Sequence, residues 1–315
     1  MDTQLAAPWV QFVEELGVSP ALDGPYDNLM RGWKTILGKL MTRYGFPPPD
    51  TSVQAEDKTV DGVRVRVYSP PDVVDPPIAL YFHAGGWVMG SVDEEDGFSR
   101  ALSKLSGSKI ISVGYRLAPE FSFPAPLEDC VRVAKWALDT FPSHTVSFIG
   151  ASAGGNMAFS TALALIDQGL GDRVQGVVGL APVTVHPDAI PAEKEAQYTS
   201  YRENDRVTIN TDSAMRTFLN CYGAPPADPR LSCLLHPRLG ELKNVYMAVG
   251  GADTLRDDVR LMKGVLTELD VAVQCDEYPG YPHFSWLFPS AALKEHQAEF
   301  IGNLIEGIRW VQDGS

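Results

Sequence analysis

Residues 146–166 read VSFIGASAGGNMAFSTALALI, and the folding of this stretch decides the architecture around it. Val146, Phe148 and Ile149 form a short β-branched and aromatic run closed by Gly150, the pattern of a buried strand. Beyond the glycines, Met157, Phe159, Ala162, Leu163 and Ile166 recur at helical spacing. Ser152 is thereby set at a sharp strand-to-helix turn. Glycines there permit close backbone packing, and the helix start offers unpaired N–H groups beside the serine oxygen. Gly-x-Ser-x-Gly in that setting is the pattern of a nucleophile elbow. A lone match is also met in plain glycine-rich turns, so the rest of the chain has to choose.

Composition narrows the field. With 315 residues, 44% of them hydrophobic, the chain can bury the core of one α/β domain carrying an insertion, or of two ordinary domains. A formal charge of -14, from 40 acidic against 26 basic side chains, disfavours a nucleic-acid partner and leaves no basic stripe for anionic lipid. The four cysteines, Cys130, Cys221, Cys233 and Cys275, are far apart and lack metal-ligand spacing. They read as reduced structural thiols, and no metal or cofactor is expected. The opening MDTQLAAPWVQFVEELG has an acid at Asp2 and no basic stretch before an apolar one, and no apolar run approaches bilayer length. A cytoplasmic protein without membrane contact is expected; a homodimer is left open.

Outward from the elbow, periodicity divides the chain. Trp9, Phe12, Val13 and Leu16, then Leu29, Trp33, Ile36, Leu37 and Leu40, fall at helical intervals, and the PPPD run from Pro47 to Asp50 closes that region. Two strands follow, the second with Val63, Val65 and Val67 on one face and Arg64 and Arg66 on the other. Expected next are strand 78–82, helix 94–106, strand 109–113, helix 127–140, strand 145–149, helix 155–168 and strand 174–180. Such alternation implies a mostly parallel sheet. From Pro182 to about Leu242 the pattern turns irregular and polar, with one helical piece near 211–221, and reads as an insertion over the sheet. Strands resume at Val245 and Val271, and a helix over about 291–311 ends the chain.

A serine hydroxyl is a poor nucleophile at neutral pH, so a base must take its proton and a third group must orient that base. Of six histidines, His283 lies in the Gly/Pro-rich loop EYPGYPHFSWLF after a strand, where ligands meet parallel sheets. His144, His186, His236 and His296 read as capping or surface imidazoles. For the acid, NVYMAVGGADTLRDD offers Asp253 in a turn after a strand, with Asp257 and Asp258 as rivals; those two open a helix, where the dipole alone accounts for carboxylates. Donors for a developing oxyanion are expected from the backbone of Gly85 and Gly86 in YFHAGGWVMG and from the N–H of Ala153. His83 is expected to orient that loop without moving protons, and Arg116 and Glu120 to brace the loop after their own strand. Trp87, Phe284 and Trp286 flank these loops and are candidates for a substrate pocket, although aromatic residues there are as often plain core.

Taken together, YFHAGGWVMG, GYRLAPEFSFPAPLED, GASAGGN, GADTLRDD and GYPHFSW make residues 50–310 resemble the hormone-sensitive-lipase-like branch of the α/β-hydrolases, most closely its fungal members, which include esterases of secondary metabolism. The resemblance implies an α/β-hydrolase fold with an eight-stranded, mostly parallel sheet flanked by helices. A helical cap is implied from residues 1–48 and the insertion 183–242, with the core in 49–182 and 243–315. The order Ser152, Asp253, His283 is that of the family, and ester hydrolysis through an acyl-enzyme on a small soluble substrate is the implied activity. Two positions depart: Ala84 replaces the first of three glycines usual after the loop histidine, and Ala151 stands where an acid commonly precedes the serine. The rivals are a cyclase, lyase or acyl transferase on the same fold, and a receptor; receptors of this family have lost the histidine that is present here as His283.

Overall fold

Ile78 to Phe82 is apolar without a break, and in the computed structural model of the chain it is a strand with every residue buried. The structure describes residues 4–45 and 48–314; Asp2 and the expected proline break at Pro47 lie outside them. In chain order the elements are α1 (Ala7–Leu16), α2 (Tyr26–Tyr44), β1 (Gln54–Val60), β2 (Val63–Ser69), β3 (Ile78–Phe82), α3 (Asp96–Ser106), β4 (Lys109–Gly114), α4 (Ala125–Thr140), β5 (Val146–Ala151), α5 (Ala153–Asp167) and β6 (Val174–Leu180). There follow α6 (Ser200–Glu203), α7 (Asp212–Tyr222), β7 (Asn244–Gly250), α8 (Arg256–Glu268), β8 (Ala272–Tyr278) and α9 (Lys294–Asp313). The strands form one eight-stranded sheet in the order β1-β2-β4-β3-β5-β6-β7-β8. Pairing is antiparallel from β1 to β4 and parallel from there on.

The position of each strand follows from its side chains. β5 and β7 are buried throughout, as strands covered on both faces must be. β2 alternates: Val63, Val65 and Val67 are buried, while Arg64 and Arg66 turn outward to Asp57 and Asp93. β1 lies at the sheet edge with Glu56, Asp57 and Lys58 facing solvent or nearly so, which discourages pairing with another chain. α5 is buried nearly all round, because α4 covers the side turned away from the sheet.

Two segments outside the sheet meet above its carboxyl ends. Trp9 and Phe12 of α1 are buried against Phe288, with ring centroids 5.5 and 4.9 Å away. Each such side chain contributes about 1.5–3 kcal/mol on burial, so α1 is anchored to the loop after β8. Thr211 and Thr217, at the start and in the middle of α7, donate to the carbonyls of Leu22 and Gly24 at 2.6 and 2.9 Å. The N-terminal segment and the insertion are thus bonded to each other as well as to the sheet. Between β6 and β7 the irregular stretch holds α6, α7 and several short 3-10 helices. Those 3-10 pieces are too short to carry a hydrophobic period.

Candidate active site

Ser152 lies between β5 and α5 with φ 56° and ψ -120°, a conformation that a residue with a side chain keeps only when its surroundings enforce it. Here they do. Its N–H donates to Leu180 O at 2.8 Å, and its carbonyl accepts from Asn156 at 3.1 Å and Val183 at 3.3 Å. Gly154 on the next turn lies so close to β3 that a Cβ there would stand 2.0 Å from Phe82 O. Any side chain would push the helix off the sheet and move Ser152 with it. Ala153 opens α5 directly behind the serine.

His283 and Asp253 are brought together from the loops after β8 and β7. His283 Nδ1 is 2.7 Å from Asp253 Oδ2, and both residues are buried. The loops are joined by Gly251 N donating to Tyr278 O at 2.8 Å and Ala252 N to Tyr281 O at 3.0 Å. Asp253 Oδ1 accepts from Leu255 N at 2.9 Å and from Asn210 Nδ2 at 2.8 Å. The other two acids of the segment face elsewhere. Asp257 accepts from the N–H groups of Thr199 and Ser200 and from Arg256. Asp258 accepts from Thr184 N and Tyr198 Oη, and burial pushes its carboxyl up to about 7. Both open α8, as expected from the dipole, but they also tie the insertion to the sheet.

The loop after β3 carries Gly85 at φ 121° and Gly86 at φ 58°. A Cβ on Gly86 would stand 2.5 Å from the ring of Phe218, so α7 rests directly on this loop. His83 is buried, its Nδ1 is 2.8 Å from Ala84 O, and its ring stacks on Tyr115 at 4.2 Å. Burial holds its pKa down to about 4, so it is a neutral brace, as expected. Ala84, the departure from three glycines, donates its N–H to Glu95 at 2.9 Å. Glu95 also accepts from Tyr81 Oη, and burial pushes its carboxyl up to about 7. Arg116 braces the next loop through Asp129 at 2.8 Å, with Asp129 supplying the carboxylate. Trp87 is buried and stacks on Tyr222 at 4.6 Å; Trp286 stacks on Phe300 of α9 at 4.4 Å. Phe284 lies beside His283, with ring centroids 4.2 Å apart.

Ser152, the His283–Asp253 pair and the Gly85–Gly86 loop all emerge from the carboxyl ends of parallel strands, where α/β sheets place their ligand sites. A family model described as alpha/beta hydrolase fold matches residues 79–287. The chain belongs to the α/β-hydrolase family. Within its hormone-sensitive-lipase-like branch, the chain is 71% identical over 284 residues to a versiconal hemiacetal acetate esterase of Emericella nidulans, covering 90% of this chain and 99% of the relative. It is 51% identical to a versiconal hemiacetal acetate esterase of Aspergillus parasiticus, over 99% of this chain and 100% of that one. Among solved structures, vibralactone cyclase superposes with a TM-score of 0.85 at 25% identity, over 99% of this chain and 96% of that one. The α/β-hydrolase described here is a carboxylic-ester hydrolase.

Several residues at this α/β-hydrolase's site had no signal in the sequence. Asn204, Thr208 and Asn210 lie in the polar insertion that reads as loop, yet all three reach Asp253 or His283. Glu95 sits in an acidic run that reads as a helix start. Among the described residues, no group of three His, Cys, Asp or Glu side chains is placed to hold a metal ion, and no helix is long and apolar enough to cross a membrane.

Proposed function

We propose that this hydrolase cleaves the acetate ester of a hemiacetal, the kind of molecule its fungal relatives are named for, through an acetyl-enzyme on Ser152. The observation that carries the reading is the buried His283–Asp253 pair at 2.7 Å, an imidazole whose Nδ1 is engaged and whose Nε2 is left to exchange a proton. Ser152 Oγ attacks the acetyl carbonyl as its proton passes to His283 Nε2. The oxyanion is met by the N–H groups of Gly85, Gly86 and Ala153, where loss of one such donor typically costs about 100- to 1000-fold in kcat. Collapse of the intermediate breaks the ester C–O bond, and the departing oxygen of the hemiacetal takes the proton from Nε2 and leaves as the alcohol. A water then gives its proton to Nε2 and attacks the acetyl-enzyme, and acetate leaves as Ser152 is reprotonated. Asp253 accepts from Nδ1 and keeps the ring in register throughout.

The proposal includes a small soluble substrate and a cytoplasmic setting in fungal secondary metabolism; the four free cysteines are in keeping with that compartment. It is tested by intact-mass analysis after treatment with a fluorophosphonate, together with turnover of an ester panel. One adduct is expected on the wild type and none on Ser152→Ala, with acetate esters turned over only by the former. An unlabelled wild type, or Ser152→Ala retaining more than about a tenth of the activity, overturns it. Labelling of Ser152 without ester turnover replaces it with a cyclase or acyl transferase on the same residues.

A further inference from the structure

The acid of the proposed triad is held from outside the sheet. Asp253 is fully buried, and a buried carboxylate is costly unless donors meet its oxygens. Leu255 N supplies one donor to Oδ1 from the same turn, and the second is the side-chain amide of Asn210, 43 residues earlier in the chain. Asn210 is itself buried at 2% exposure, and its orientation is dictated by the acid: turned over, its oxygen would face a carboxylate. Its own Oδ1 has no protein partner, so the contact with Asp253 is what the side chain is there to make. The backbone holds the amide in place, because Thr254 Oγ1 donates to Asn210 O at 2.8 Å.

The same strip of the insertion touches both members of the pair. Asn204 Nδ2 donates to Asp253 O at 2.8 Å, and Thr208 Oγ1 to His283 O at 3.3 Å. The residue after Asn210, Thr211, accepts from Ala214 N to cap α7 and donates to Leu22 O at 2.6 Å. A chain of direct bonds therefore runs from the N-terminal segment through Thr211 and Asn210 to the acid. With both lone-pair faces of Oδ1 engaged, the carboxylate cannot swing about its Cβ–Cγ bond, and Oδ2 is left to the imidazole. An amide serves this purpose better than a hydroxyl or an acid, since it donates at every pH and cannot be a second charge.

We propose that Asn210 is a positioning residue for the triad: from the insertion it locks Asp253 with Oδ2 toward His283, so that the acid is correctly aligned only while the insertion is seated on the sheet. The inference rests on the Ser152, His283, Asp253 reading above. It differs from a purely structural role in what Asn210→Asp would do. Two carboxylates 2.8 Å apart repel strongly when both are ionised, so at low pH the pair shares one proton, and the protonated partner still donates to Asp253. As pH rises and the proton leaves, the donor becomes a repelling charge. The other ionisable groups around the pair are His283, Asp258 and Tyr201, with Asp205, Arg206 and Asp212 on the segment itself.

The test uses the full-length enzyme with p-nitrophenyl acetate, comparing wild type, Asn210→Leu and Asn210→Asp from pH 5.5 to 8.5, with melting temperatures alongside. Asn210→Leu is expected to lower kcat by about 10- to 100-fold while KM stays within about twofold, because alignment acts on the chemical step. The ratio of Asn210→Asp to wild-type kcat/KM is expected to fall by about tenfold or more across that range, as the raised second ionisation of the pair removes the shared proton. A constant ratio, or an Asn210→Leu enzyme with more than half the wild-type kcat, overturns the proposal. If Asn210→Leu does not fold, the Asn210→Asp ratio followed from pH 5.5 to 8.5 carries the test alone. Failure of the triad reading shows separately, as absence of fluorophosphonate labelling on the wild type.

Discussion

His283 Nδ1 and Asp253 Oδ2 lie 2.7 Å apart, while Asp257, four residues further on, points its carboxylate at the backbone N–H groups of Thr199 and Ser200. The two acids therefore have separable effects. Asp253→Asn is expected to lower kcat by about a thousand- to ten-thousandfold, since an amide at Oδ2 leaves the imidazole in the wrong tautomer. Asp257→Asn should keep kcat within about tenfold and instead lower the melting temperature, because it weakens the seat of the insertion. Steady-state kinetics on both variants checks this; the reverse ranking would assign the acid to Asp257.

Gly86 and Phe218 make a second relationship open to mutation. A methyl on Gly86 would collide with the Phe218 ring at 2.5 Å and displace the donor loop. Gly86→Ala should lose about a hundredfold or more in kcat, the scale of one lost oxyanion donor. Phe218→Ala in the same chain removes the collision and should return part of that loss. A double-mutant cycle with no coupling between the two sites would separate the loop from α7.

Asp258 gives a pH prediction for stability. Its usual value of 3.8 is pushed up to about 7, first by burial, so the folded chain keeps a proton that the unfolded chain has released. Between these values the folded state binds more protons, and stability falls as pH rises from about 4 through about 7. Glu95, also pushed up to about 7, acts in the same direction. Asp258→Asn removes one of the two contributions while preserving hydrogen bonds, because the tyrosine hydroxyl of Tyr198 can accept as well as donate. The variant should lose less melting temperature than the wild type between pH 5 and 8. Parallel curves would show that Asp258 is charged in the folded state throughout.

The insertion and the N-terminal segment predict substrate size. Residues 183–215 include Glu193, Lys194, Glu195, Arg202, Glu203, Asp205 and Arg206, a composition ill suited to lying on lipid. Across p-nitrophenyl esters, kcat/KM should be greatest for acyl chains of about two to six carbons and fall steeply beyond about ten, since a methylene that fits contributes about 0.8 kcal/mol and a blocked one nothing. Removing residues 1–45 strips away the carbonyls of Leu22 and Gly24 that Thr211 and Thr217 use, and should unfold the protein or raise its relative rate on long chains. Preference of the intact enzyme for emulsified long-chain triglyceride would refute this reading of substrate size.

The alternation of strands and helices was legible because it is written in local periods. Ile78–Phe82 falls where its continuous apolar run places it, and Val63, Val65 and Val67 face inward as their spacing of two requires. Ser152, Asp253 and His283 could be chosen as candidates for the same kind of reason, since each sits in a turn that follows a strand and the sheet fixes where such turns meet. The α5 boundary came out at Ala153 rather than 155, because the glycines that follow Ser152 are themselves helical.

What only the tertiary structure decided lies in contacts between residues far apart in the chain. Nothing in the sequence near Asn210 says that its amide meets Asp253, nor near Asp258 that it receives Thr184 and Tyr198 from 74 and 60 residues away. A hydrophobic period repeats and can be read from one segment alone. A hydrogen bond between two polar side chains depends on where both backbones end up, and that is settled by how the insertion folds back across the sheet. The sequence by itself determined the scaffold and the order of Ser152, Asp253 and His283 along it; the packing of the insertion decided which carboxylate pairs with His283 and what holds it there.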